Sequence, residues 1–276
     1  MGKTDDRGGR PARSSVWLLD DGRRQAPSRR GAHPSPSGLD RDVITRTTVR
    51  LLDQDGPAKF SMRRLAAELN VTAMSVYWYV DTKDDLLELA VDAAYGELRL
   101  PEVPEPGTVE EASVDWRALL RATAGEYRGL LVRHPWLSAL AGHFLNIGPR
   151  SLEFSRTVHQ VIRWTGVPAY GQTGAISAVF QFVYGFGTIE GHFRQRCAEA
   201  GVSQDEFHRE AMRTIAGTPS AAPMLDDVSE MMAARAGDTV EEMREADFVF
   251  ALELLIAGIE AMAARGRGGA GEDATP

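Results

Sequence analysis

The chain has 276 residues, of which 43% are hydrophobic and 25% charged, and its formal net charge is −8 at pH 7. This length is enough for a substantial core, and we expect a small domain followed by a larger one. The negative charge excludes a protein that coats nucleic acid by bulk attraction, so any affinity for DNA must lie on one face. The single cysteine, Cys197, excludes an internal disulfide. A single cysteine is typical of a protein in the reducing cytoplasm. No apolar run reaches the roughly 20 residues of a membrane span, so none is predicted.

Residues 1–38 are rich in Gly, Pro, Ser and Arg, with eight basic against four acidic residues. Their one apolar patch, residues 16–19, is too short to form a core, so we expect a disordered basic arm. The arm lacks the apolar central region of a signal peptide. Such an arm can lie in the minor groove or along phosphates. A solvated tail and a misassigned start codon are the alternatives.

Residues 39–55 are predicted to form the first helix, with Asp40 as its N-cap and Gly56-Pro57 as its end. Residues 61–83 then have the pattern of two short helices joined by a three-residue turn, as in a DNA-reading helix-turn-helix. Ser61 and Thr72 are placed to cap these two helices. Asn70 is expected to end the first of them in the left-handed conformation. Thr82 should cap a third helix, with Asp85 completing a capping box.

The second helix of this motif keeps Val76 and Val80 for the core, which leaves small polar and aromatic side chains outside. They suit a major groove, where hydroxyls bond base edges or phosphates and apolar atoms contact thymine methyls. Arg63 and Arg64 add guanidinium groups for phosphate or guanine, and Lys83 can reach a phosphate. The alternative is a small helical subdomain whose aromatic residues pack against a neighbouring domain.

Residues 39–97 resemble the N-terminal domain of TetR-family transcriptional regulators, and the segment 76–80, VYWYV, is especially similar to the tetracycline-repressor branch. The resemblance implies base-contacting or near-base positions at Arg63, Ala73, Met74, Ser75, Tyr77 and Trp78. It implies backbone-contacting positions at Ser61, Tyr79 and Lys83. Arg64 and Thr72 complete the predicted DNA-binding set. Because Ala73 and Met74 read bases mainly by apolar contact, the family's operator sequences cannot be carried over.

A predicted helix over residues 86–98 leads out of the motif and is followed by several prolines, so we place a domain boundary near residue 100. We predict a DNA-binding domain over residues 39–100, a larger helical ligand-binding and dimerisation domain over 101–265, and a disordered tail over 266–276. From residue 114 to 201 the pattern is helical, with breaks at 134–135, 148–149 and 166–168, and no strand pattern competes. The predicted fold class is all-α.

Residues 172–200 form the longest predicted helix, in which aromatic residues alternate with glycines. Each interior glycine costs a helix about 1 kcal/mol against alanine, so close helix packing or room for a ligand is the expected compensation. A pocket beside this helix is predicted to hold a mainly apolar, aromatic-sized molecule. Its candidate contacts are His143, Phe180, Gln181, Tyr184 and His192, and Phe182 and Phe186 are further candidate aromatic walls. The alternative is that the aromatic residues fill a solid core.

Residues 202–239 are polar and irregular, and we expect a loose, partly disordered loop with one short helix. A final helix is predicted over residues 240–265, with Leu252 and Ile256 on its broad apolar face. This helix and the longest one carry more apolar surface than a monomer easily covers, so they are predicted to pair across a two-fold axis in a homodimer. The family resemblance implies the same pairing, and the alternative is that both are core helices of one subunit.

No catalytic site, cofactor or metal site is predicted. The histidines lack the HExxH spacing, and no P-loop or GxGxxG segment is present. A single histidine that binds a metal-chelated drug, as in the tetracycline-repressor branch, is the alternative. The sequence therefore predicts a homodimeric, ligand-responsive transcriptional regulator, a repressor released from palindromic DNA by a small apolar molecule. One rival hypothesis is a DNA-binding protein without a small-molecule ligand, and another is an enzyme with an appended DNA-binding module.

Overall fold

The computed structural model describes residues 15–18, 39–105, 107–108 and 113–269. These residues form helices and no strand, which confirms the predicted all-α fold class. In chain order the helices are α1 (Arg41–Lys59), α2 (Met62–Glu68), α3 (Ala73–Tyr77), α4 (Lys83–Tyr95), α5 (Trp116–Arg133), α6 (Pro135–Ala141), α7 (Pro149–Arg163), α8 (Ala169–Ala200), α9 (Gln204–Ala216), α10 (Ala222–Ala233) and α11 (Val240–Gly269). No helix among the described residues is long and apolar enough to cross a membrane.

The helices cluster into two compact units. The first contains the described residues up to Leu98 together with Trp136–Phe154, and the second contains Arg99–Pro135 and the described residues from Ser155 onward. The first unit therefore holds α1 to α4, α6 and the beginning of α7. The second holds α5, the rest of α7 and α8 to α11.

Helix α1 begins where its sequence predicts, but it continues past the predicted end at Gly56-Pro57. The backbone amide of Val43 donates to Asp40 Oδ1 at 2.7 Å, which satisfies one of the free amides of the first turn. At Gly56 the backbone takes φ 72°, and Pro57 follows, so the last turn to Lys59 continues across a kink. Ile44 and Leu52 are buried, and α1 packs against α2 and α4.

Helix α4 buries three carboxylates, Asp85, Glu88 and Asp92, and each accepts hydrogen bonds. Asp92 Oδ1 accepts from the backbone amides of Arg150 and Ser151 at 3.1 and 2.9 Å, so it caps the first turn of α7. The Ser151 hydroxyl donates to the same oxygen at 3.0 Å. These bonds place the beginning of α7 in the first unit.

The turn between α6 and α7 leaves little space beside Asp92. A Cβ added to Gly148 would lie 2.2 Å from Asp92 Oδ1. At the other end of this segment, Trp136 Nε1 donates to Asp53 Oδ1 at 2.6 Å. Residues 136–154 are therefore held to the first unit at both ends by polar contacts that a hydrophobic pattern does not reveal.

A short helical turn at residues 16–18 also belongs to the first unit. The Ser15 hydroxyl donates to Glu88 Oε1 at 2.5 Å, and the Val16 amide donates to Glu88 Oε2 at 2.8 Å. Ser15 and Val16 are both buried. Residues 15–18 thus depart from the expected disorder, because Ser15 and Val16 satisfy a buried carboxylate, while 1–14 and 19–38 lie outside the described residues.

In the second unit, α8 packs most extensively against α5, and α11 contacts α8 and α9. Two of the glycines of α8 permit the first contact. A Cβ on Gly187 would lie 3.1 Å from Leu131 Cβ, and a Cβ on Gly191 would lie 2.8 Å from the Leu131 carbonyl oxygen. Close helix packing therefore accounts for these two glycines. A Cβ added to Gly174 or Gly185 would have no neighbouring atom within 4 Å.

The predicted breaks at residues 134–135, 148–149 and 166–168 coincide with helix boundaries, but the prediction of a loose loop over 202–239 is wrong. This segment contains α9 and α10. Helix α9 begins with a capping box, in which Glu206 N donates to Ser203 Oγ and Ser203 N donates to Glu206 Oε2. Helix α11 extends to Gly269, four residues beyond the predicted end, and 270–276 lie outside the described residues.

The glycine contacts give a paired stability prediction. Gly191→Ala should destabilise the protein by about 1–3 kcal/mol, because the new methyl group meets the backbone of α5. Gly125→Ala, on the exposed side of α5 where a Cβ meets nothing within 4 Å, should stabilise it by about 0.5–1 kcal/mol. Thermal unfolding followed by circular dichroism measures both changes. Equal shifts of the two midpoints would contradict this assignment of Gly191.

Candidate nucleic-acid interface

Helices α2 and α3 form a helix-turn-helix whose ends are fixed by nearby side chains. Ser61 Oγ accepts from the Arg64 amide at 3.3 Å and begins α2. Thr72 Oγ1 accepts from the Ser75 amide at 3.2 Å and begins α3. Both contacts are the expected N-caps, so these bounds follow from the local sequence.

The turn between these helices is closed by backbone hydrogen bonds. Asn70 has φ 53°, the left-handed conformation predicted for it. The Asn70 amide donates to the Ala67 carbonyl at 3.1 Å, and the Val71 amide donates to the Ala66 carbonyl at 2.9 Å. This pair of bonds is a Schellman motif, which satisfies the last carbonyls of α2 and fixes the direction of α3.

Helix α3 presents an apolar and hydroxyl-bearing surface on a small core. Val76 and Val80 are buried, as predicted. Met74 is 68% exposed, Trp78 65% and Tyr77 43%. Aromatic side chains exposed to this degree on adjacent positions form a surface suited to contact with a partner.

The predicted DNA-binding residues divide into two groups by exposure. Those that are exposed are Ser61, Arg63, Arg64, Thr72, Met74, Tyr77 and Trp78, and those that are half-buried are Ala73, Ser75, Tyr79 and Lys83. All of them lie on α2 or α3, at the N-caps of these two helices, or within six residues after α3. The structure therefore brings the whole predicted set to one part of the first unit.

Besides the hydroxyls that cap the two helices, three longer side chains of this set bind to other parts of the unit. Arg64 Nε forms an ion pair with Asp55 Oδ2 at 2.6 Å. The Tyr79 hydroxyl donates to the Leu39 carbonyl at 2.9 Å. Lys83 Nζ donates to the Phe60 carbonyl at 2.9 Å and lies 5.5 Å from the centroid of the Phe60 ring. These residues hold the motif to α1 and to the preceding segment, a role that their sequence pattern did not reveal.

Arg63 differs from these neighbours. Its side chain is exposed, and within the described residues it has no ion pair. A guanidinium group in this state keeps its five donors available for a phosphate or for the O6 and N7 atoms of guanine.

The five predicted ligand contacts do not share one environment. His143 follows α6 in the first unit and is exposed, with Nδ1 2.6 Å from the Ala139 carbonyl oxygen. The other four lie on α8 in the second unit, where Phe180 and Tyr184 are half-buried and Gln181 and His192 are exposed. The Phe180 ring lies 6.3 Å from the Tyr127 ring of α5. Phe180 and Tyr184 are thus the two of the five that are half-buried.

The structure shows no cluster of metal-binding side chains among the residues that it describes. Across the described part of the chain, no three His, Cys, Asp or Glu side chains lie close enough to hold a metal ion together.

Two family models match the chain in order. The model of bacterial regulatory proteins of the tetR family matches residues 44–90, and the model of the tetracyclin repressor-like C-terminal domain matches residues 109–263. The first covers the helix-turn-helix, and the second covers α5 to most of α11.

Relatives and solved structures agree with these matches. An HTH-type transcriptional regulator of Saccharopolyspora erythraea is 39% identical over 163 residues, which cover 59% of this chain and 65% of that protein. The HTH-type transcriptional repressor DrrR1 of Streptomyces coeruleorubidus is 30% identical over 273 residues, which cover 97% of this chain and 92% of the relative. The crystal structure of the TetR family protein ActR of Streptomyces coelicolor in complex with actinorhodin aligns with TM-score 0.62 and 25% identity, over 82% of this chain and 97% of that one. The chain has a capped helix-turn-helix, it matches both family models, and a repressor relative matches it along nearly its whole length. The chain therefore belongs to the TetR family of transcriptional regulators.

Proposed function

We propose that this regulator is a homodimeric repressor that binds a palindromic operator and is released from it by a small, mainly apolar molecule. The observation that carries the DNA-binding half is the exposed surface of Met74, Tyr77 and Trp78 on and directly after a capped helix, together with Arg63, which has no ion pair in the part of the chain that the structure describes. Apolar atoms of this surface can contact thymine methyl groups, and Arg63 can bind guanine or phosphate. Lys83 keeps further donors for the DNA backbone beyond its contact with Phe60, whereas the one hydroxyl proton of Tyr79 must leave the Leu39 carbonyl before it can bind a phosphate. Such a protein works in the cytoplasm.

Helix α11 supports the dimer. Leu252 and Ile256 are each only 3% exposed, so they belong to the core of one protomer and not to the interface expected for them. The opposite side of the helix exposes Phe250, Leu254 and Met262, which are spaced at four- and eight-residue intervals on one face. These three side chains form the apolar surface that a second copy would cover.

The glycines without neighbours fit the same interface. A Cβ on Gly174 or Gly185 of α8, or on Gly258 of α11, meets nothing within 4 Å. Glycine weakens the interior of a helix, and no contact of the described residues compensates for it at these three positions. Close packing of a partner helix against these three glycines would compensate for that loss of helix stability.

The relatives support the regulatory half. DrrR1 is named a transcriptional repressor, and ActR was crystallised with actinorhodin. An effector is proposed beside α8, with Phe180 and Tyr184 as walls and with Gln181 and His192 as candidate polar contacts, while His143, which lies in the first unit, is left out of this site. A hundredfold loss of operator affinity requires about 2.7 kcal/mol of differential effector binding between the two states. A mainly apolar effector can supply this through a few buried contacts.

The proposal is tested by sequencing genomic DNA fragments that the purified protein retains. An enriched inverted repeat whose half-sites lie about one helical turn apart, or a multiple of it, is expected from two copies of α3 in successive major grooves. Fragments without a shared repeat would contradict the operator part of the proposal.

Arg63→Ala tests base reading at the selected site. The substitution should cost about 1–3 kcal/mol on the selected site and relax the preference at one base position of each half-site. Fluorescence anisotropy with selected and scrambled duplexes measures the difference. Arg213→Ala, which removes another exposed positive charge, on α9 in the second unit, is the control and should leave both affinities unchanged. An equal loss on both duplexes for Arg63→Ala would assign Arg63 to phosphate alone.

Leu254→Glu tests the interface. A carboxylate on the exposed face of α11 cannot be desolvated between two copies without a partner, so we expect a folded monomer with weakened operator binding. Leu252→Ala is the matched control. It should cost about 2–5 kcal/mol of stability and leave the dimer intact, because this side chain packs inside the protomer. Light scattering coupled to size exclusion reports the mass, and a dimeric Leu254→Glu variant would place the interface elsewhere.

Phe180→Ala and Tyr184→Ala test the effector site. Aromatic compounds are first selected by thermal shift and then titrated into the complex with DNA. The two variants should alter the affinity or selectivity of the releasing compounds while the dimer persists. If the rings only fill the core, the main effect is a loss of about 3–5 kcal/mol of stability. Releasing compounds that act equally on the wild type and on both variants would contradict this position of the site.

A further inference from the structure

The second unit contains a cavity of about 220 Å³ between the end of α8, helix α9 and the beginning of α11. It is lined by Phe186, Phe193, His208, Arg235, Val240, Met243, Arg244 and Asp247. Of the predicted residues, only Phe186, a further candidate wall of the effector pocket, is among them. The cavity contains none of the predicted DNA-binding residues and none of the five candidate effector contacts.

The apolar wall consists mainly of two phenylalanine rings whose positions are fixed. The Phe186 ring lies 5.3 Å from the Phe248 ring, and Phe248 is buried. The Phe193 ring meets the Phe207 ring edge-on at 5.5 Å. A guanidinium group lies over each ring, that of Arg128 over Phe186 and that of Arg244 over Phe193. The remaining surface of two rings held in this way has little entropy left to lose, which favours an aromatic ligand.

Arg244 supplies the polar group of the wall. Its Cζ atom lies 4.6 Å from the centroid of the Phe193 ring, and the side chain is half-buried. Within the described residues, no carboxylate lies within ion-pair distance of Arg244, whereas Arg128 is bonded to both Glu190 and Glu245, at 2.7 and 2.5 Å. The charge of Arg244 is therefore partly desolvated without a direct counter-ion.

The electrostatic surroundings of Arg244 also favour the binding of an anion. Burial lowers the pKa of this guanidinium, the charge of Glu190 opposes that shift, and the positive charges of Arg235 and Arg128 add to it. The one carboxylate among the lining residues, Asp247, is engaged by Arg235. Two arginines thus face one carboxylate around the cavity, and His208 adds a further polar group. An anion placed here would offset the unpaired charge.

We propose that this cavity binds a small aromatic carboxylate, with its ring against Phe186 and Phe193 and its carboxylate on Arg244. A guanidinium group can bind a carboxylate through two parallel hydrogen bonds, which fixes the orientation of the ring. Pockets for drug-sized ligands have volumes of about 300–1,000 Å³, so the smaller volume here selects one or two fused rings. A neutral ring would leave Arg244 unpaired, and a simple inorganic anion would leave the aromatic walls unused. Binding at this cavity does not depend on the proposed operator or effector site.

The test is isothermal titration of the full chain with 2-naphthoate and with 2-naphthamide, which has a similar shape and no charge. Hydrogen bonds to a charged group contribute about 1.5–3 kcal/mol, so the wild type should bind naphthoate at least about tenfold more tightly. Arg244→Gln should remove most of this preference and change naphthamide binding little. Arg213→Gln, an exposed charge on the outer part of α9, is the matched control and should bind both compounds as the wild type does.

Two further measurements keep the outcome decisive. Arg244→Lys, which keeps the charge but not the two-pronged geometry, should retain part of the preference, and this rescue separates a binding role from a purely structural one. Inorganic phosphate should bind more weakly than naphthoate. The proposal is overturned by equal wild-type affinities for naphthoate and naphthamide, by no detectable naphthoate binding at millimolar concentration, by unchanged binding in Arg244→Gln, or by phosphate that binds as tightly as naphthoate. None of these results bears on operator binding, which is measured separately with DNA.

Discussion

The first unit depends on the buried carboxylates of α4. Asp85, Glu88 and Asp92 are spaced by three and four residues, so they lie on one side of the helix. A buried carboxylate without partners is costly, and each of the three is satisfied by a different part of the chain. Asp85 bonds Thr82 at the beginning of its own helix, Glu88 bonds Ser15 and Val16, and Asp92 bonds the beginning of α7. The position of α4 is thereby defined by the hydrogen bonds of its buried carboxylates as well as by its apolar contact with α1.

The helix-turn-helix could be predicted in detail because its determinants are local. The caps at Ser61 and Thr72, the left-handed Asn70 and the capping box at Thr82 each act over three residues or fewer, so they can be recognised without knowledge of the fold. The exposure of Met74, Tyr77 and Trp78 then follows from the positions of the two buried valines. Local chemistry therefore predicts both the motif and the surface that it presents.

The contacts that the sequence did not predict join distant residues. Glu88 and Ser15 are 73 residues apart, and Trp136 and Asp53 are 83 apart. In the sequence such side chains count as the polar face of a helix, because nothing local indicates that they will be buried. The same limit applies to α11, whose apolar residues cover more than one side. Only the fold separates Leu252 and Ile256, which are buried, from Leu254, which is exposed. The missed α9 is different, since the Ser203 and Glu206 capping box was visible in the sequence.

Different parts of helix α11 line the cavity, pack in the core and form an exposed apolar face. Its first turns contribute Val240, Met243, Arg244 and Asp247 to the cavity, and its middle contributes Leu252 and Ile256 to the core. The face that carries Leu254 remains open. Arg244 and Leu254 are ten positions apart, which is about 15 Å along a helix, and they share no contact in the described residues. Substitutions separated by more than about 10 Å without shared partners have additive effects on stability. Loss of the cavity charge and loss of the exposed leucine should therefore act independently, unless anion binding itself changes how two copies assemble.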